Sequence, residues 1–241
     1  MYQNKKIIAL GNFLFKYRNF LFPLTLIAIF VALPPSNLFL GSEVLESQKN
    51  ILAYIIAAIG LLIRASVIGF AYIKRGGLNK KVYADTLVNT GIFAICRNPL
   101  YVGNLIIYFS IFLMHGDIFL IIFGSLLFYF IYICLIAAEE NFLRGKFGAE
   151  FDEYCSKTPR WIPAFARLKT SVAGMGFDFK KVLYKDYTTI ANTYIGLVAI
   201  QLYKDVLYTN DKSSLLNLGY ALVALVVFTV LVRAFKKSKA N

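Results

Sequence analysis

Apolar residues in this chain fall into long runs, with polar residues concentrated between them. Six runs approach the ~20 residues that carry a helix across a bilayer: 19–40, 51–73, 100–114, 118–138, 188–207 and 215–232. The fold class this predicts is an all-α integral membrane protein with about six transmembrane helices. Ahead of the first run, Ile7 to Phe15 is apolar but is interrupted by Lys16 and Arg18. That reads as an interfacial helix leading into a retained span, with no cleavable signal. Pro34-Pro35 is expected to kink or end the first helix. Residues 41–50 read as a short polar loop, 74–99 as a basic loop and 139–187 as a long polar segment. The chain is expected to divide into an interfacial helix and first span at 1–50, a core at 51–163, a linker at 164–187 and a helical hairpin with a basic tail at 188–241.

Composition sharpens this picture. Of 241 residues, 59% are hydrophobic and 16% charged, with a mean hydropathy of +0.63; a soluble domain carries about 25% charged residues. The formal charge is +13, and its distribution argues for topology, not for nucleic acid. With six spans, 22 of the 26 Lys and Arg lie on one side. Lys49, Lys204 and Lys212 lie on the other, and Arg64 lies inside the second run. Cytoplasmic loops carry the excess of Lys and Arg. Both termini, the basic loop and the long polar segment are therefore expected in the cytoplasm, in a bacterial inner membrane or an internal eukaryotic one. Cys96, Cys134 and Cys155 are odd in number and lack a CxxC, so no disulfide framework is expected. A single histidine, His115, builds no metal site alone and fits the hairpin turn His115-Gly116-Asp117. Gly174-Met175-Gly176 lacks a strand–turn–helix setting and reads as a linker.

Candidate chemistry sits at the two ends of the hairpin formed by the third and fourth runs. A membrane hairpin returns the chain to the side it left, so both ends face the same water. One end carries Arg97-Asn98-Pro99-Leu100-Tyr101. Pro99 suits a first helical turn, where its missing N–H costs nothing, and Asn98 stands where an N-cap would. The other end carries Glu139-Glu140, at a depth where carboxylates are expensive. No helix breaker follows, and Phe142, Leu143, Phe147, Phe151 and Tyr154 extend the pattern as an amphipathic helix. Pro159-Arg160-Trp161-Ile162-Pro163 then stops it, with Trp161 expected at headgroup level. Arg64 lies midway along its run. Burying it costs at least ~2.5 kcal/mol on insertion scales, and ten residues, roughly 15 Å of helix, separate it from Lys74. It therefore needs an ion-pair partner such as Glu139 or Glu140, or it contacts substrate or cofactor.

These two signatures, in this order and around a hairpin, resemble the isoprenylcysteine carboxyl methyltransferase and phospholipid methyltransferase superfamily. The resemblance runs roughly from residue 51 to 163. It includes Arg75-Gly76-Gly77, Leu87-Val88 with Gly91, Arg97-Asn98-Pro99-Leu100-Tyr101, Glu139-Glu140, Phe147-Gly148 and Arg160-x-x-Pro163. It implies an S-adenosylmethionine-dependent membrane methyltransferase whose pocket faces the cytoplasm and is closed by the segment after the last core helix. Carried over by motif, the cofactor contacts are Asp85, Thr86, Leu87, Val88, Phe93, Asn98, Pro99, Leu100, Tyr101 and Glu139. Many members have His where this chain has Asn98 and Tyr where it has Phe93. Members that methylate a prenylcysteine carboxylate carry an Arg one turn before the Glu pair, where this chain has Leu135.

The residues agree with methyl transfer on their own terms. In-line displacement at a sulfonium methyl is mostly a matter of positioning and needs no metal. Tyr101 can favour a cation through its ring face. Glu140 is a candidate base for an amine acceptor, whereas Arg64, Arg97 or Arg160 can orient a carboxylate. The expected acceptor is a membrane lipid or lipidated substrate: a prenylcysteine carboxylate, or a headgroup amine or hydroxyl. Two other readings are an NADPH-dependent membrane reductase of the sterol-reductase type and a non-enzymatic membrane protein or transporter.

Overall fold

A computed structural model describes residues 4–70, 82–209 and 211–238. Its helices are α1 (Lys5–Ala32), α2 (Glu43–Phe70), α3 (Pro99–His115), α4 (Ile118–Phe147), α5 (Ala149–Lys157), α6 (Leu168–Ser171), α7 (Phe179–Lys204) and α8 (Lys212–Ser238). The described residues contain no strand. Four helices, α1, α2, α4 and α8, are long and apolar enough to cross a membrane. The six expected spans thus resolve into four by length and composition: α3 has 17 residues, and α7 is diluted by polar side chains. Arg75-Gly76-Gly77 and the rest of 71–81 lie outside the described residues.

Three boundaries differ from expectation for local reasons. The interfacial helix and first span form one helix of 28 residues. Arg18 and Lys16 are carried on it over the rings of Phe15 and Tyr17, at 4.1 and 5.0 Å, and the helix ends just before Pro34-Pro35. Residues 43–50 are the first turns of α2, not a loop. Their polar members are used inside the protein, where Glu46 and Lys49 are buried. The helix after Glu140 is broken at Gly148, whose φ of +53° and ψ of −125° no ordinary side chain adopts cheaply. α5 then starts with Glu150 and Asp152 in its first turn, where acidic residues suit the helix dipole.

The chain forms two compact, interleaved units. The first comprises Met1–Leu33, Phe70–Val102 and Leu126–Phe177. In it Phe22 packs edge-on against Phe128 and Tyr132, with ring centres at 5.6 and 6.1 Å. Gly11 lets α1 approach the α4 backbone at Cys134 more closely than any Cβ would permit. The Gly174-Met175-Gly176 linker is also used here: a Cβ at Gly91 would lie 3.3 Å from the Met175 sulfur.

The second unit comprises Pro34–Gly69, Gly103–Ser125 and Asp178–Asn241. α2 and α3 cross at Gly60 and Gly103; a Cβ on Gly60 would stand 2.8 Å from both the Gly103 carbonyl oxygen and Ile107 Cγ1. Small residues at such crossings let backbones pack closely in membranes. α2 and α7 run antiparallel in one register. Glu46 pairs with Lys204 at one end, and Arg64 pairs with Asp186 at the other. Each helix spends 18 residues between its two charges, about 27 Å of rise. The polar residues that dilute α7 therefore have partners. Lys49 donates to the Met114 carbonyl at 2.8 Å, Gln201 donates to Asp205 at 2.9 Å, and Ser214 of α8 bonds Asp205.

The α2–α3 crossing gives a direct test. Gly60→Val should cost on the order of 1–3 kcal/mol through overpacking, read as a lower Tm in detergent. Gly219→Ala on α8, with nothing within 4 Å of the new methyl, should be neutral or stabilising by up to about 1 kcal/mol. A Gly60→Val protein as stable as the parent would contradict the close crossing.

Candidate active site

The turn before α3 is shaped by a glycine and by backbone pairing. Gly91, at φ +58°, opens a short 3-10 turn, Gly91–Ala94. The chain then meets residues 159–164: the Arg97 amide donates to the Pro159 carbonyl at 2.9 Å, and the Ala164 amide donates to the Ile95 carbonyl at 2.9 Å. The Asn98 side-chain amide donates to the Arg160 carbonyl at 3.1 Å, so Asn98 ties down residues 159–164 as a strap while its own carbonyl starts α3. The Cys96 thiol, fully buried, reaches the carbonyls of Arg160 and Trp161 at 3.7 and 3.3 Å. Trp161 is half-buried with its ring 5.4 Å from that of Tyr129.

The two polar signatures meet here as the hairpin argument requires. The Tyr101 hydroxyl donates to Glu139 Oε1 at 2.5 Å. Next to it, Glu140 is enclosed by two arginines. Its Oε1 accepts from Arg97 Nη1 at 3.0 Å and Arg160 Nε at 2.9 Å, and its Oε2 accepts from Arg160 Nη2 at 2.6 Å. The Glu140 side chain is only 6% exposed. A carboxylate this deep needs such compensation, since an unpaired buried charge is strongly destabilising. Both oxygens are occupied, so the geometry makes Glu140 a fastening for the strap and gives no support to its expected role as a proton acceptor. Arg97 and Arg160 are likewise committed to Glu140, and Arg97 Nη1 also lies 2.9 Å from the Cys155 sulfur.

Other expected contacts are placed differently. Asp85 and Thr86 are exposed, whereas Leu87 and Val88 are half-buried. Asp85 accepts from the Tyr83 hydroxyl, and the Ala84 carbonyl takes the Lys146 ammonium at 2.5 Å, which fixes this segment to α4 two turns beyond Glu139. Phe93 is half-buried, and its carbonyl accepts from the Tyr154 hydroxyl at 2.7 Å. Pro99 is buried and Leu100 half-buried on the first turn of α3. Leu135, in place of the Arg of carboxylate-methylating members, is fully buried.

Arg64 is not paired with Glu139 or Glu140. In the second unit its Nε and Nη2 donate to the two oxygens of Asp186 at 2.9 and 2.5 Å, Nη2 also to Thr189 at 3.2 Å, and Nη1 bonds Asn104. Asp186 is the residue sequence reasoning missed. A signal was present: a lone carboxylate two residues ahead of an apolar run, at the same 18-residue spacing from Lys204 as Arg64 from Glu46.

Burial governs the titration of the groups around the strap. It pushes the Cys96 thiol from 9.0 up to about 11, partly offset by Arg97. It also raises the Cys155 thiol and holds the Tyr154 hydroxyl well above its ordinary range.

A multi-pass membrane protein, helical throughout its described residues, in which a hairpin returns two polar signatures to a buried Glu140 and a half-buried Glu139 is the class this site defines. Residues 49–150, less than half of the chain, match the phospholipid methyltransferase family. Two curated proteins are similar over shorter stretches. The cobalt-zinc-cadmium resistance protein CzcN of Cupriavidus metallidurans is 35% identical over 79 residues, 33% of this chain and 36% of that protein. The nickel-cobalt-cadmium resistance protein NccN of Alcaligenes xylosoxydans xylosoxydans is 33% identical over 84 residues, 35% of this chain and 39% of that protein. The matches thus span little more than a third of those relatives. No solved structure gives a significant match.

The Cys96 environment predicts a pH profile. In a Cys134→Ala, Cys155→Ser background, alkylation of Cys96 should be slow at pH 8. A thiol raised to about 11 keeps its proton there, so the rate should climb about tenfold per pH unit until pH approaches that value. A rate that levels off near pH 9 would contradict the buried, strap-covered thiol.

Proposed function

We propose that this protein is an S-adenosylmethionine-dependent methyltransferase that acts on a membrane-embedded lipid or lipidated acceptor. The observation that carries the reading is the hydrogen bond between Tyr101 and Glu139 beside the Arg97–Glu140–Arg160 fastening, since it joins two signatures that the sequence holds a hairpin apart. The family match covers Arg64, 85–101 and the Glu pair, and methyltransferase chemistry comes from it. The relatives' names, which speak of metal resistance, contribute no step.

The residues present fit the cofactor. Glu139 uses one oxygen on Tyr101, and its other takes no protein donor among the described residues, which suits a hydroxyl or ammonium of S-adenosylmethionine. The Tyr101 ring presents an aromatic face to a cation. Asn98, Pro99 and Leu100 line the turn beside them, with Phe93 and 85–88 as the outer contacts the family pattern adds. When bound, the cofactor would supply a methyl group carried on a cationic sulfonium, activated for transfer to an acceptor lone pair. Glu140, Arg97 and Arg160 then act together by holding the strap, which positions Asn98 and excludes water. Leu135 removes the cation that would face a carboxylate, so a headgroup amine or hydroxyl is favoured over a prenylcysteine carboxylate.

The 27 Å or so between the charge pairs on α2 and α7 is close to the ~30 Å hydrocarbon thickness. That favours α7 as a span in addition to the four apolar helices. With α3 this would give six spans, and the charge distribution supports a cytoplasmic setting for the Tyr101–Glu139 site and both termini.

Two experiments test these readings. S-adenosylmethionine should bind the purified protein, and Glu139→Gln should weaken it by about 1–3 kcal/mol, the loss of a charge-assisted hydrogen bond. In membranes, a methyl label should then enter the lipid extract; unchanged calorimetric affinity in folded Glu139→Gln would remove Glu139 from the pocket. For topology, single cysteines at the exposed positions Gln48 and Ser213 should label from outside and one at Lys157 from the cytoplasm. Labelling of all three from one side would overturn the orientation.

A further inference from the structure

The chain beyond Trp161 leaves large apolar side chains in the open. Ala164 is pinned through its amide to the Ile95 carbonyl, yet Ile162 and Phe165, which flank it, are 79% and 68% exposed. Leu168 is exposed as well. Cations are interleaved with them. Between Tyr154 and Phe177 the chain carries Lys157, Arg160, Arg167 and Lys169, and no acidic residue. Lys157 is taken by Glu153 and Arg160 by Glu140. Arg167 and Lys169 are exposed and form no ion pair among the described residues. Arg167 gives one bond, from Nη1 to the Lys157 carbonyl at 3.1 Å, which leaves most of its guanidinium fork open. Exposed apolar side chains among open cations are the composition of a segment that lies on a lipid surface.

Contacts within the first unit fix the level at which these residues stand. On α1, Gly11 lies against the α4 backbone at Cys134, and Phe22 lies against Phe128 and Tyr132. Lys16 and Arg18 fall between those contacts, so cations are carried beside the stretch of α4 from Phe128 to Cys134. Such cations mark headgroup depth, where Trp and Tyr also gather. Trp161 rests at that level, with its ring 5.4 Å from that of Tyr129. We propose that residues 161–169 dock on the anionic lipid surface of the leaflet they face. Ile162, Phe165 and Leu168 enter the boundary between headgroups and acyl chains, Arg167 and Lys169 meet lipid phosphates, and this contact holds the strap on the turn at 95–98. A zwitterionic headgroup carries its own ammonium, which repels the same two cations, so charge selects an anionic lipid. That lipid is part of the surface and not the methyl acceptor, and the proposal does not rest on the methyltransferase reading.

The test uses full-length protein in vesicles of phosphatidylcholine, alone or mixed with phosphatidylglycerol. Trp161, the sole tryptophan, reports the lipid beside the strap. Phosphatidylglycerol brominated on its acyl chains should quench Trp161 more than equally brominated phosphatidylcholine at the same mole fraction. The relative affinity should be at least about fivefold, the gain from one cation near an anionic surface. Arg167→Gln with Lys169→Gln, both at exposed positions, should abolish that preference with a Tm close to the parent, and Lys169→Gln alone should lower it part-way. The second readout is Cys96 alkylation in the Cys134→Ala, Cys155→Ser background. Phosphatidylglycerol should slow it at least about fivefold more in the parent than in the double Gln variant. An anionic surface gathers protons around both proteins alike, so the difference between them reports the strap. Inorganic phosphate added to phosphatidylcholine vesicles should reproduce neither effect. Equal quenching by the two lipids, or Cys96 protection that ignores lipid composition, would overturn the proposal. So would an effect of free phosphate, which would make the segment a site for the anion and not for the surface. Little quenching by either lipid would also overturn it, and would mean that a second copy of the chain or another protein covers the segment.

Discussion

A carboxylate buried among apolar helices must find cations, and Glu140 finds two on opposite sides in the chain. Arg97 comes from the turn ahead of α3, Arg160 from the strap beyond α5. Fully buried residues precede Glu140 on α4, so water cannot serve in their place. This one requirement brings the strap back onto α3, and the remaining contacts follow from it: Asn98 on the Arg160 carbonyl, the Arg97 amide on Pro159, the Cys96 thiol beneath Trp161. Tyr101 and Glu139 are then neighbours without further cost. The same rule works in the second unit, where Arg64 with Asp186 and Glu46 with Lys204 pin α2 to α7 at each end.

Much of this was legible in the sequence because lipid imposes simple demands. Long apolar runs had to be helices, since only helices and closed barrels satisfy the backbone in hydrocarbon. A hairpin had to bring its two ends to one face, and Pro99 with Asn98 marked where α3 begins. Pro34-Pro35 ended α1. These inferences rest on backbone hydrogen bonding, which local sequence reports well.

What the sequence concealed was which charge meets which. Arg64 needed a partner, and the nearest conspicuous carboxylates were the Glu pair; the partner instead came from Asp186, 122 residues away. The burial of Glu140 was evident in the sequence, but its two arginine partners were not. The turns of α2 at 43–50 looked like a loop because Glu46 and Lys49 are polar, although each has a buried partner. Gly148 sat inside an unbroken apolar periodicity, and periodicity carries no information about a positive φ. In each case the deciding fact is a tertiary partner or a backbone angle, not a local preference.

The proposed cofactor site joins the turn at 98–101 to the carboxylate of Glu139. Photo-crosslinking with methyl-labelled S-adenosylmethionine, followed by peptide mapping, addresses it most directly. Label should appear on the peptide carrying Asn98 to Tyr101 or on the one carrying Glu139, and excess S-adenosylhomocysteine but not NADPH should displace it. Label confined to other segments, or displaced by NADPH, would contradict the account.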